Sequence, residues 1–314
     1  MRFRSFAKFF AATLLALAGA PGPALAQGAP GEHERSCAQI AQRHRTARQP
    51  LDQRKNNFFL FDAAERGCDE LIRVFLAAGA SVAARDRSGN TALSIAARMG
   101  RTATVELLVA AGSQLDHRNL AGASPLLRAV TDGRRRTARA LLALGADPNL
   151  GNTKGVTPLI TAAYNGEARM LDLLLAAGAG PSAIDATGKG PLVYAAGRGY
   201  TQMVKRLLEA GIDPARGYGN ALTALMWAAG HSNDVPEAEG LATVEALLAA
   251  GAPVGPTDNR GRTALMIAAG RGHAAVAARL IAAGADPSAR DHDGNTAAGL
   301  AHGDEVKALL ASVK

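Results

Sequence analysis

A threonine, or a residue standing in for it, returns every 33 residues along most of this 314-residue chain. Phe58, Thr91, Ser124, Thr157, Gly190, Thr223, Thr263 and Thr296 hold the position, and the one irregular step, of 40 residues, separates Thr223 from Thr263. A glycine keeps the same register at Gly79, Gly112, Gly145, Gly178, Gly211, Gly251 and Gly284. A fixed period of this length restricts the chain to a stack of similar units, none of which buries its apolar face alone. The clearest unit begins at Gly155. Thr157 suits a helix N-cap and Pro158 the first helical position. Leu159, Ala162 and Ala163 make one apolar face of a short helix that Gly166 ends. Met170, Leu171, Leu174 and Leu175 define a second helix, and Gly178 follows it where a positive φ is needed.

Six units carry the same opening: Thr-Pro-Leu at 157–159, Ser-Pro-Leu at 124–126, Gly-Pro-Leu at 190–192, and Thr-Ala-Leu at 91–93, 223–225 and 263–265. Leu-Leu-x-x-Gly-Ala closes three of them, at 141–146, 174–179 and 247–252. With these residues the chain resembles the ankyrin-repeat family, in an exported bacterial type. The resemblance covers about residues 57–314. It implies an all-α repeat solenoid, with a turn and two short antiparallel helices per repeat. About seven full repeats begin near 57, 86, 119, 152, 185, 218 and 258, and a truncated C-terminal cap begins near 291. The His of the family's T-P-L-H is missing: Ser94, Leu127, Ile160, Val193, Met226 and Met266 stand there. Mainly apolar packing is expected in place of the family's hydrogen bonds.

The N-terminus reads as an export signal. Arg2, Arg4 and Lys8 precede the apolar stretch Phe9 to Leu17, too short to span a bilayer, and Ala24-Leu25-Ala26 predicts cleavage before Gln27. The expected product is exported, most readily to a periplasm, monomeric and without a membrane span. Removing residues 1–26 takes three of 35 basic residues and none of 27 acidic ones, leaving a net charge of +5. Nucleic acid is not expected as a partner of an exported chain. An acidic protein or an anionic envelope polymer matches the sign, and so does ordinary solubility charge.

Residues 27–56 form an extension. Gln27 to Gly31 reads as disordered. Ser36 is the expected N-cap of an amphipathic lid helix with Cys37, Ile40, Ala41 and His44 on one face, ended by Pro50. Arg43, Arg45 and Arg48 are expected on its solvated side. Cys37 and Cys68 are the only cysteines. In an oxidising compartment they invite a disulfide pinning the lid to the first repeat, and two free thiols are the other reading. Phe58 and Phe59 are expected to pack under that lid.

The sixth repeat holds seven extra residues, read as a polar loop over 231–239. His231, Asp234, Glu237 and Glu239 fall there without a diagnostic metal-ligand spacing, so no metal is assigned. Ala221 takes the place of the turn glycine, and Gly219 and Asn220 are expected to supply the positive φ. Enzyme signatures fail: there is no G-x-S-x-G and no H-E-x-x-H, and Gly188-Lys189-Gly190 lacks the rest of a phosphate loop. No catalytic residue and no cofactor is assigned.

The resemblance implies a non-catalytic scaffold whose turn tips and inner helices bind a protein on the concave face. By register, the family's contact positions fall on Arg87, Lys154, Lys189, Asn259 and Arg260 in the turns. At the inner-helix ends they fall on Arg98, Tyr164, Asn165 and Arg198, and on Arg128, Tyr194 and Trp227 one turn earlier. Tyr218 and His231 join them from the sixth repeat. The aromatic and arginine residues concentrate in repeats three to six, where the hot spot is expected. For Tyr194 and Trp227, core packing is the competing reading.

Overall fold

The computed structural model describes residues 31–47, 51–232 and 234–313. The expected leader at 1–26, most of the segment after it, Arg48 and Pro50 lie outside the described residues. A lid helix α1 (Glu32–Thr46) precedes eight pairs, each an inner helix followed by an outer one. They are α2 (Gln53–Arg66) with α3 (Asp69–Ala77), α4 (Ala92–Met99) with α5 (Thr102–Ala110), α6 (Pro125–Thr131) with α7 (Arg135–Ala143), and α8 (Pro158–Asn165) with α9 (Ala168–Ala176). The next are α10 (Pro191–Gly197) with α11 (Thr201–Glu209), α12 (Ala224–Ala229) with α13 (Glu237–Ala249), α14 (Ala264–Arg271) with α15 (Ala274–Ala282), and the short α16 (Ala297–Leu300) with α17 (Asp304–Ser312). Each inner helix packs against its neighbours in the row and against its own outer helix. The fold is an all-α repeat solenoid.

The periodic residues do the same work in each repeat. Thr91, Ser124, Thr157, Thr223, Thr263 and Thr296 each cap an inner helix, the side-chain oxygen accepting from the N–H three residues on. Leu93, Leu126, Leu159, Leu192, Leu225 and Leu265 are almost wholly buried, each contributing about 1.5–3 kcal/mol. The six residues in the missing-His position are also buried.

The turns are built on one side-chain device. Asp86, Asn119, Asn152, Asp185, Asp258 and Asp291 each accept from the backbone N–H groups two and four residues on. Successive tips are joined by backbone bonds: the N–H groups of Leu120, Thr153, Ala186, Gly219, Asn259 and His292 donate to the preceding tip at 2.8–3.0 Å. The sixth turn corrects the sequence reading. Asn220 and Ala221 take positive φ, at 61° and 59°, and Gly219 does not. Gly219 is needed for closeness: a Cβ there would stand 2.5 Å from the Thr187 carbonyl oxygen.

The lid differs from expectation in detail. Gly31, not Ser36, occupies the N-cap of α1. The Ser36 hydroxyl accepts from Arg66 Nη1 at 2.7 Å. Ile40 is buried, and the His44 ring lies 5.1 Å from Phe59 and 4.8 Å from Phe75 between centroids. Cys37 and Cys68 are joined by a disulfide, Cα to Cα 5.7 Å. Arg43 is not a free surface cation: it pairs with Asp62 at 2.8 Å and lies over Phe59. Phe59 packs under the lid, whereas Phe58 is 59% exposed, its ring edge to face with that of Phe59 at 6.0 Å, on a helix that starts at Gln53 and runs through the expected repeat boundary.

The insertion is only partly a loop. Pro236 precedes α13, and Glu237 and Glu239 lie in the helix's first turn, where carboxylates favour the dipole. α13 is 13 residues long against nine in α11 and α15, so helix extension absorbs four of the extra residues.

Candidate functional site

The inner face of repeats three to six gathers most of the aromatic and cationic residues that the sequence marks out. Tyr164 is the penultimate residue of α8 and Tyr194, 30 residues on, sits in the middle of α10, about one turn short of the 33-residue register on the neighbouring helix. Their rings meet edge to face at 5.5 Å. Arg198, which caps α10, lies 4.1 Å above the Tyr164 ring. Lys189, in the turn before α10, lies 4.9 Å from the Trp227 ring and 5.8 Å from that of Tyr194. The Tyr194 hydroxyl donates to Asp185. Burial pushes the Asp185 carboxyl up, but hydrogen bonds from Tyr194, Thr187 and Lys189 outweigh it and hold the group below its ordinary range.

Two cavities flank this ladder. One, of about 490 Å³, lies among Arg128, Thr131, Tyr164, Asn165 and Tyr194. The other, of about 480 Å³, lies among Lys189, Tyr194, Arg198, Trp227, Arg271 and the inserted segment. Tyr194 belongs to both. Tyr194 and Trp227 are half-buried, packed on one side and open to a cavity on the other, and Trp227 Nε1 is a buried donor without a partner. Arg128 is also half-buried. Burial and the charge of Arg98 push its guanidinium down from the ordinary value, against Asp132 and Asp86. Arg98 itself reaches Glu65 at 3.4 Å.

Two residues expected at the contact face are not available to a partner. Tyr218 is 9% exposed. It fills the space over Gly190, where a Cβ would meet its ring and the Ala183 carbonyl oxygen at 3.0 Å. This explains why Gly190 replaces the capping threonine. His231 is 2% exposed, stacked on His273 with ring centroids 3.9 Å apart. Its Nδ1 lies 2.9 Å from the Ala228 carbonyl oxygen. Arg87, Lys154, Asn259 and Arg260 are exposed on the turn tips, apart from both cavities. Tyr200, which the sequence reading missed, lines the second cavity. Only its spatial fit over Gly166 reveals it, a Cβ there falling 2.8 Å from the ring.

The histidine pair supports a pH prediction. Burial holds His273 below its ordinary pKa. The nearby charges of His231 and Arg271 act the same way, and the Ala229 carbonyl and Glu237 oppose them. The unfolded chain therefore takes up this proton first, so stability is full above pH about 6.5 and is lost as the pH falls through the folded value. Protection factors in α12 to α15, with the intrinsic exchange rate at each pH divided out, are expected to fall between pH 7 and 5. His273→Asn, which keeps a donor for Ala229 and does not titrate, should flatten that dependence. An unchanged slope would remove His273 as its source.

A family model described as ankyrin repeats (3 copies) matches residues 38–119, 60–152, 126–218, 159–242 and 225–313. No curated protein matches the chain.

Proposed function

Because the chain belongs to the ankyrin-repeat family, whose repeats generally mediate protein–protein interaction, we propose that it binds another protein through the inner face of repeats three to six. The aromatic and cationic ladder carries this reading. Arg128, Lys189, Arg198 and Arg271 have no carboxylate within 4 Å among the described residues, and aromatic and arginine side chains are the usual interface anchors. Family members are typically non-catalytic scaffolds. The leader pattern at 1–26 and the Cys37–Cys68 bond support export to an envelope compartment. There the role would be that of an immunity factor or accessory chaperone for an envelope enzyme or toxin. The unpaired cations also suit an anionic envelope polymer, the second reading.

Affinity capture from an envelope extract tests this, with the chain from Gln27 onward beside a Tyr164→Ala, Lys189→Ala, Arg198→Ala variant of matched thermal stability. One protein retained by the parent through moderate salt and lost by the variant is the expected result. Binding that vanishes for both in salt points to the polymer. Identical capture by both places the site elsewhere.

A further inference from the structure

We infer that the cavity between repeats three and four seats the C-terminus of the partner protein, with Arg128 holding its terminal carboxylate and the apolar walls holding its last side chain. This rests on the protein-binding reading above. Lys189 and Arg198 rest on aromatic rings, and Arg98 reaches Glu65. Among the described residues the Arg128 guanidinium makes no hydrogen bond, ion pair or ring contact, and its Nε is buried without an acceptor. A cation partly stripped of water gains more from a carboxylate than a solvated one does. Asp132 lines the same cavity, but it is exposed and stands beyond 4 Å from Arg128.

The rest of the cavity selects what carries the carboxylate. Its volume of about 490 Å³ is that of a small-ligand site, which suits a chain end better than a broad surface. Leu127, Ile160, Tyr164 and Tyr194 give it apolar walls. In an extended segment neighbouring side chains point to opposite faces, so an internal glutamate does not bring the adjacent apolar side chain into the same cavity. The last residue of a chain carries its carboxylate and its side chain on one Cα, and both enter together. Asp132 is an acceptor for the N–H of that residue, a group that a simple fatty acid lacks. A polymer with a charge on every unit gains nothing from the apolar walls.

The test is fluorescence anisotropy with the purified protein and a short labelled peptide ending in leucine. Three companions keep its sequence: one amidated at the C-terminus, one amidated and carrying an internal glutamate, and one ending in serine with a free carboxylate. The leucine acid is expected to bind about tenfold tighter than either amide, the effect of one charge-assisted hydrogen bond. A similar factor should separate it from the serine peptide, through the buried side chain. Arg128→Gln should cancel the preference for acid over amide, and Arg128→Lys, which keeps the charge, should retain part of it. Arg139→Gln on the outer helix α7 should leave it whole. Equal binding of acid and amide, an acid preference that survives Arg128→Gln, or an internal glutamate as good as the free end would overturn the inference. So would free leucine that displaces the peptide at the peptide's own concentration, the mark of an amino-acid site. Absent binding of the leucine peptide while capture still retains a protein through the inner face also overturns it, and leaves the protein-binding reading standing. If the capture fails as well, both fall.

Discussion

Reducing the Cys37–Cys68 disulfide is expected to lower the stability of the N-terminal end by about 3–4 kcal/mol. The bond closes a loop across a sequence separation of 31, and chain-entropy reasoning gives that magnitude for a loop of this length. What the loop holds matters as much as its length. α1 covers Phe59 and Phe75 with Ile40 and the His44 ring, and among the described residues no repeat lies beyond it to do so. In a repeat array stability is a sum of units and their interfaces, so the loss should stay local. Hydrogen exchange with and without reductant, and on Cys37→Ser, should show faster exchange in α1 to α3 and unchanged protection in α8 to α11. Uniform loss along the chain would contradict the local picture, and no change at all would remove the bond from the stability of the end.

Gly240→Ala is expected to cost about 1–3 kcal/mol, the usual effect of overpacking, from one methyl group. Gly240 lies in the second turn of α13 with the His231 ring directly against it, and a Cβ would fall under 3.0 Å from three ring atoms. The ring has nowhere to go, because its other face rests on His273. Ordinarily alanine in place of a helical glycine stabilises by about 1 kcal/mol, so the sign itself is diagnostic. His231→Ala empties the space, and Gly240→Ala in that background should be neutral or stabilising. A destabilisation of equal size in both backgrounds would show that the ring is not what excludes the methyl group. Thermal or denaturant unfolding of the four proteins completes the cycle.

Most of the fold was legible because its causes are local and repeated. Thr157 caps a helix and Gly178 closes the next one, at φ 83°, for reasons contained within a few residues of each. The register then carries the reading to every copy. The candidate site was legible as a zone but not residue by residue. Position along the period places a side chain on the inner row, yet Tyr218 and His231 are buried by what crosses over them, Gly190 and Gly240 in the neighbouring elements. Tyr200 reaches the cavity from a position the period assigns to the outer helix. Phe58 failed for a related reason: α2 begins earlier, at Gln53, so the register of the later repeats does not place this side chain, which stays exposed. Such outcomes depend on long-range packing, and the disrupted sixth repeat is where that packing departs furthest from the pattern.

The bonds that join the turn tips bear on how freely such a surface changes over generations. Leu120, Thr153, Ala186, Gly219, Asn259 and His292 are six different residues, and all donate the same backbone bond to the tip before. Gly219 is held to its identity by the neighbouring carbonyl, and the Thr153 hydroxyl adds a second bond to the Ala121 carbonyl oxygen at 3.1 Å. At every rung the common stitch belongs to the main chain, whatever the side chain adds. This chain has in effect run the substitution experiment on itself, and the ladder survived each version. New specificities can be sampled at the rim of such an array without reopening the question of whether it folds.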